Sequence, residues 1–247
     1  MPSPRWRKVL RDLGGNKART ILVVLSIAVG VFAVGMIAGA RVAMFREMHA
    51  SWAAVNPASA TLYTGLFDEE LLWTLRKMPE LAEVDSRRGF GVRFKASPND
   101  DQWRSLVLYT YPDYDDIQIF RLQPESGAWP PPEQEVLIER ASLDWMGVQV
   151  GDVVLIEAPN GKERELRVAG SVHDMTQMAA SWIGQATGYI SPDTLEWLGL
   201  APGFDELKNM VTEQPDDLEH INGVAKLVRD KIEKSGRTVY YTGLWRK

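Results

Sequence analysis

From Thr20 to Ala40 the chain runs 21 residues without a charged side chain, bracketed by Arg19 and Arg41. A helix of that length, rising ~1.5 Å per residue, is ~31 Å long and matches a ~30 Å hydrocarbon core. Its residues are those of a membrane span, with Ile21, Leu22, Val23, Val24, Leu25 and Ile27 followed by Val29, Val31, Phe32, Val34, Met36 and Ile37. Six basic residues precede it (Arg5, Arg7, Lys8, Arg11, Lys17, Arg19) against one acid, Asp12. Positive charge holds such an end in the cytoplasm. The expected topology is a cytoplasmic N-terminus (residues 1–19), a helix across the cell membrane (residues 20–40) and an extracytoplasmic remainder. A secretory signal peptide is the rival reading, because Ala38-Gly39-Ala40 resembles a cleavage site. The apolar region of a signal peptide is ~7–15 residues, shorter than this run.

Charge is divided along the same line. Residues 1–41 hold seven of the 28 Lys and Arg and one of the 33 Asp and Glu, a net +6, which leaves −11 for the rest. An acidic outer region argues against nucleic acid as a partner, and a basic cytoplasmic end suits anionic lipid headgroups. No cysteine is present, which excludes disulfides, thiolate metal sites and thiol nucleophiles. The outer region must therefore be held by an apolar core.

Before the span, Trp6, Val9, Leu10 and Leu13 recur at i, i+3, i+4 and i+7. They predict an amphipathic helix lying in the membrane interface. Within the span, Ser26 and Gly30 form one pair of small residues four apart, and Gly35 and Gly39 another. Such pairs let a neighbouring helix approach closely, so they are candidate packing positions for a homo- or hetero-oligomer.

No helix breaker follows until Asn56-Pro57, so the helix is expected to continue as a stalk over residues 41–57. Residues 58–64 read as a strand. Phe67 and Asp68 read as staple and N-cap of a helix carrying Leu71, Leu72 and Leu75, ended near Pro79, and residues 84–96 as a second strand. The pattern returns late in the chain. Residues 207–212 predict a strand, and Pro215-Asp216 opens a helix with Glu219 at capping-box spacing. Leu218, Ile221, Val224, Val228 and Ile232 form its stripe, Gly236 caps it, and residues 238–242 predict a last strand. Two β-α-β units so separated suggest an α+β domain of split, ferredoxin-like design, residues 58–98 and 205–243, with a β-rich insert over residues 99–204. Strand candidates in the insert are 105–111, 135–139, 153–158 and 163–168. Pro159-Asn160-Gly161 predicts a hairpin with a two-residue loop, and Ser191-Pro192-Asp193 starts a short helix.

Leu25-Ser26-Ile27-Ala28-Val29-Gly30-Val31 after Lys17-Ala18-Arg19-Thr20 resembles the first transmembrane helix of FtsX-like ABC transporter permeases. The stretch Met146-Gly147-Val148-Gln149-Val150-Gly151-Asp152-Val153 with Leu166-Arg167-Val168-Ala169-Gly170 is similar to the outer domain of MacB-type members. So is Gly127-Ala128-Trp129-Pro130 leading into Glu135-Val136-Leu137-Ile138. The resemblance implies a permease subunit that couples a separate cytoplasmic ATPase to an extracytoplasmic domain for export or mechanotransmission. Such permeases continue into three further transmembrane helices, whereas this sequence has one apolar run. That fits a truncated gene, a fragment or a natural single-span relative. The alternative function is a membrane-anchored binding or adaptor protein without transport.

Catalytic signatures are missing. Gly14-Gly15-Asn16-Lys17 lacks the spacing and hydroxyl of a phosphate-binding loop, so any ATPase is a separate polypeptide. His49, His173 and His220 are scattered, without zinc spacing. His173, Asp174 and Ser181 lack a nucleophile-elbow motif. Asp100-Asp101 and Asp113, Asp115 and Asp116 lack the glycine and terminal glutamate of a calcium loop. No enzymatic activity, cofactor or metal is expected. The stretch 177–185, with Met178, Trp182 and Ile183, reads as an apolar-leaning loop.

Overall fold

The computed structural model describes residues 17–97 and 100–245. The elements in chain order are α1 (Lys17–Ala54), β1 (Ala60–Phe67), α2 (Glu69–Arg76), β2 (Leu81–Lys95), β3 (Arg104–Thr110), β4 (Gln123–Gly127), β5 (Glu135–Glu139), α3 (Arg140–Met146), β6 (Val153–Glu157), β7 (Glu163–His173), α4 (Ala180–Ile183), β8 (Gln185–Tyr189), α5 (Pro192–Trp197), β9 (Phe204–Val211), α6 (Leu218–Lys234) and β10 (Val239–Leu244). The fold is mixed α+β. Residues up to Ser51 form one compact unit and residues from Trp52 onward another.

Helix α1 is 38 residues long, about 57 Å at ~1.5 Å per residue. Its large apolar side chains from Ile21 to Met48 are all at least 44% exposed. A helix apolar on every side needs lipid or a protein interior around it, and none of its apolar window is buried in this chain. Among the described residues it is the one helix long and apolar enough to cross a membrane. The interface positions Trp6, Val9, Leu10 and Leu13 lie outside the described residues. The helix closes where Asn56 adopts φ 54°, a left-handed conformation that asparagine tolerates and that stops helical hydrogen bonding.

In the second unit β1, α2 and β2 form one β-α-β run, and β9, α6 and β10 another. Asp68 caps α2, its carboxylate accepting from the Leu71 amide at 3.1 Å. Phe67 and Leu72 enter the same core on either side of that cap. The cap of α6 differs from the sequence expectation by one residue: Asp217, not Asp216, accepts from the Glu219 amide at 2.9 Å. A turn at Gln214 (φ 48°) delivers the chain one position later. Leu218 is consequently 42% exposed, and Ala225 joins Ile221, Val224, Val228 and Ile232 on the buried stripe.

Strands β10, β1, β9 and β2 pair in that order, each contact antiparallel. Alternation sends Ala60, Leu62, Val84, Leu207 and Val211 into one core with α2 and α6. It turns Asp85, Arg87, Glu206 and Lys208 to the opposite face.

Strand β2 belongs to two sheets. Its first half pairs with β9, while Arg88–Phe94 pair with β3 and Arg93–Lys95 with β6. From there β3 pairs with β8, β8 with β5, β5 with β7, β7 with β6, and β6 with β2 again. The insert is thus a closed six-stranded barrel, a form without free strand edges. Val92, Leu106, Val136, Ile156, Leu166 and Ala186 are among its core residues. The barrel includes β8, of which the loop expected over residues 177–185 covers only Gln185. Strand β4 adds to the outside of β7, where Gly127 and Gly170 are register partners. A Cβ on Gly127 would stand 2.2 Å from the Ala169 carbonyl oxygen, and one on Gly170 would stand 2.5 Å from that of Ser126. Only glycine permits this approach.

The hairpin between β6 and β7 has a three-residue loop rather than two. The Ala158 amide donates to the Lys162 carbonyl, and Gly161 alone takes the positive φ, 77°. Asn160 instead uses its side chain, donating to the Leu198 carbonyl at 3.0 Å.

Candidate functional site

Of the four small residues singled out in the span, Ser26 donates its hydroxyl to the Leu22 carbonyl at 2.9 Å. A Cβ added at Gly30, Gly35 or Gly39 would meet nothing within 4 Å. At ~100° per residue the Ser26/Gly30 pair and the Gly35/Gly39 pair lie about 180° apart around the helix. They open two opposite faces rather than one seam.

Where α1 ends, Trp52, Phe120 and Trp245 form an aromatic triangle. Its ring centroids are 5.7 Å (Trp52–Phe120), 6.0 Å (Phe120–Trp245) and 6.4 Å (Trp52–Trp245) apart. Val55, Ala58 and Ile119 complete the cluster beneath it. The backbone is fixed as well. Phe120 N donates to the Asn56 carbonyl at 3.1 Å and Arg121 N to that of Val55 at 2.9 Å, and the Asn56 side chain donates through Nδ2 to Gln118 O at 2.7 Å. The segment leaving the stalk is therefore bonded to the loop 118–121.

That loop is held in turn by the core. The Asp85 carboxylate on β2 accepts from the amides of Gln118 at 2.7 Å and Ile119 at 2.6 Å. Burial raises its pKa, and these two amides work against the rise. Opposite Asp85 in register stands Lys208 of β9. Lys208 is 1% exposed, with its ammonium 5.6 Å from the Phe120 ring centroid and donating to Tyr111 Oη at 3.3 Å. Burial, and then the neighbouring Arg87, push its pKa down to about 8 against the pull of Glu206, Asp174 and Asp85.

Arg87 joins this core to the barrel. Its guanidinium donates to Glu206 at 2.7 Å, lies 3.9 Å from Asp174 at the end of β7, and stacks 4.1 Å from the Tyr109 ring centroid. Asp174 also accepts from Tyr189 Oη at 2.6 Å and from Thr176 N at 2.8 Å. Burial acts to raise its pKa, but Arg87 and these hydrogen bonds prevail and hold it below the usual carboxylate value. One continuous set of contacts thus runs from the end of the stalk through the loop 118–121 to β2, β9 and the barrel. Such buried polar sets hold a geometry rigidly, because breaking one partner strands a charge.

Sequence reasoning missed these residues. On β9, Glu206 and Lys208 alternate with Leu207 and Asn209, a pattern that ordinarily marks a strand with one wet face. Only the β10-β1-β9-β2 order reveals that the polar face is covered.

The remaining candidates are not drawn together. The His173 ring lies 3.5 Å from Glu139 and 3.2 Å from Arg140, turned to partners other than Asp174, and Ser181 is exposed on α4. Asp113 accepts from the Asp115 amide, and Asp116 pairs with Arg76 at 3.5 Å. Among the described residues no group of three or more His, Cys, Asp or Glu could hold a metal ion. Met178 and Trp182 are 58% and 80% exposed.

No protein-family model matches the chain, and no curated protein does. Among solved structures, the chain is similar to the periplasmic region of MacB from Actinobacillus actinomycetemcomitans. That likeness has a TM-score of 0.48 and 12% identity, and covers 75% of this chain and 87% of that one. It is also similar to the extracellular domain of the noncanonic ABC-type transporter YknZ from Gram-positive bacteria, with a TM-score of 0.49 and 13% identity, over 74% of this chain and 100% of that one.

Proposed function

We propose that this chain is a permease subunit, or the N-terminal part of one, of an ABC transporter of the FtsX/MacB type. In this reading a separate cytoplasmic ATPase drives motion that α1 carries across the cell membrane to the second unit, for export or mechanotransmission. The observation that carries the reading is the unbroken run of α1 from the basic cytoplasmic side through the uncharged stretch to Ala54. There the chain passes directly into the bonded set around Phe120, Asp85 and Lys208. In this account α1 transmits displacement, and the polar set of the second unit, costly to break, responds as a body.

The basic N-terminal flank supports a cytoplasmic N-terminus and an extracytoplasmic main domain, and Trp6 to Leu13 would rest on membrane lipid. The two small-residue faces of α1 support packing against neighbouring transmembrane helices. Two β-α-β runs whose strands interleave in one antiparallel sheet support a split ferredoxin-like lobe, interrupted by the barrel. The chain itself catalyses nothing in this account.

The test is to purify the tagged chain from its native membranes in mild detergent and identify what co-elutes. A polypeptide with a phosphate-binding loop, released when Gly35→Leu is introduced, is the expected result. Elution without an ATPase would replace the permease by a single-span anchored adaptor.

A further inference from the structure

A cleft of about 710 Å³ runs beside the N-terminus of α2 and opens toward α5. Glu69 and Pro112 also line a second cleft of about 400 Å³, so the two are neighbours. The apolar surface open to the cleft is made by Leu66, 45% exposed, and the rings of Pro112, Pro192 and Pro202, with Phe67, Leu195 and Phe204 buried behind it. The rim is acidic. Glu69 and Glu70 stand on one side and Glu196 on the other, all three exposed, and Asp113 and Asp116 continue the rim into the second cleft. The two cations of the cleft are already engaged: Arg237 pairs with Asp68 at 2.8 Å and Arg76 with Asp116 at 3.5 Å. Among the described residues Glu69, Glu70 and Glu196 have no basic partner within 4 Å, and no carboxylates converge closely enough to hold a metal ion.

From this pairing of apolar floor and acidic rim we infer that the cleft binds an extended basic peptide segment that alternates Lys or Arg with apolar side chains. Positive charge spread along a strip meets carboxylates spread along a strip. A metal ion would need them gathered, and a nucleic acid or anionic lipid headgroup would be repelled. A simple polyamine would leave Leu66 and the proline rings uncovered. The surrounding excess of negative charge would also speed the encounter. The cleft lies wholly within the second unit, so the inference does not depend on transport.

The experiment uses the full chain in nanodiscs of zwitterionic phosphatidylcholine, with fluorescence anisotropy at low salt. The probe is a fluorescein-labelled peptide of three Lys-Val-Pro repeats, and its Glu-Val-Pro counterpart serves as control. Saturable binding of the basic peptide below ~1 mM and none of the acidic one is expected. Glu69→Gln with Glu70→Gln and Glu196→Gln should weaken binding about tenfold, since each exposed ion pair contributes modestly. Glu163→Gln with Glu165→Gln, exposed on the β6–β7 hairpin and lining neither cleft, should change it less than about twofold. Should the triple variant lose its fold by circular dichroism, Glu196→Gln alone still predicts a loss of about twofold or more. Absence of saturation, equal binding of the acidic peptide, unchanged binding by the folded cleft variant or an equal loss in the hairpin variant would each overturn the inference.

Discussion

Lys208 makes the interior sensitive to pH. Its folded pKa of about 8 lies below its ordinary 10.5. Below pH 8 both folded and unfolded chains carry the proton, and the fold bears the full cost of a buried ammonium facing Arg87. Above pH 8 the folded lysine releases its proton while the unfolded one keeps it, so stability rises with pH. The rise between pH 8 and 9.5 is on the order of 2 kcal/mol. Lys208→Met should abolish it, as read from thermal unfolding of the full chain in detergent at the two pH values. An identical pH slope in the variant would contradict the assignment. Tyr111 and Tyr189, pushed up by burial, ionise first in the unfolded chain and remove stability above their ordinary value of 10, so the comparison stops at pH 9.5. Asp85 offers a second test of the site. Asp85→Ala leaves the Gln118 and Ile119 amides without their acceptor, a loss of about 1–3 kcal/mol. The amides of loop 118–121 should then exchange hydrogen faster while those of α6 stay protected. Unchanged exchange in the loop would separate Asp85 from the junction.

Among the elements, α6 and α1 yield contrasting predictions. Asp217→Ala should cost about 0.5–2 kcal/mol as the loss of an N-cap, whereas Asp216→Ala should stay within about 0.5 kcal/mol. The reverse order in thermal unfolding would restore the cap to Asp216. On α1, Gly35→Leu adds a side chain where nothing stands within 4 Å, so the isolated helix has no reason to suffer. A fall in oligomer size in mild detergent would therefore report a neighbour packed on that face, and an unchanged size would remove Gly35 from any interface. These elements also mark how far the sequence can be read. Local chemistry sufficed for α2, because Asp68, Phe67 and Leu72 signal start and staple within six residues. It failed at β8, whose Gln185-Ala186-Thr187-Gly188-Tyr189 lacks strand character. Gly188 leaves room for Leu108 and Ile138, its register partners on the adjacent strands β3 and β5, and for Val136, since a Cβ there would stand only 3.0 Å from the nearest of them. Barrel closure is a long-range fact, and so is the covering of the Asp85–Arg87 face. The candidate site was illegible because each member looks like an ordinary surface charge until distant strands enclose it.

At the scale of the whole chain, one uncharged run divides a basic end from an acidic remainder. The chain's absence of cysteine makes the arrangement directly measurable, since any single introduced cysteine is the sole thiol. The decisive measurement is labelling of Ser3→Cys and Glu163→Cys variants in spheroplasts with a membrane-impermeant maleimide. The account predicts that the cysteine at position 163 reacts in intact spheroplasts and that the one at position 3 reacts only after permeabilisation. Labelling at position 3 without permeabilisation, or protection at position 163, would place the barrel on the cytoplasmic side and contradict a chain that carries ATP-driven motion outward.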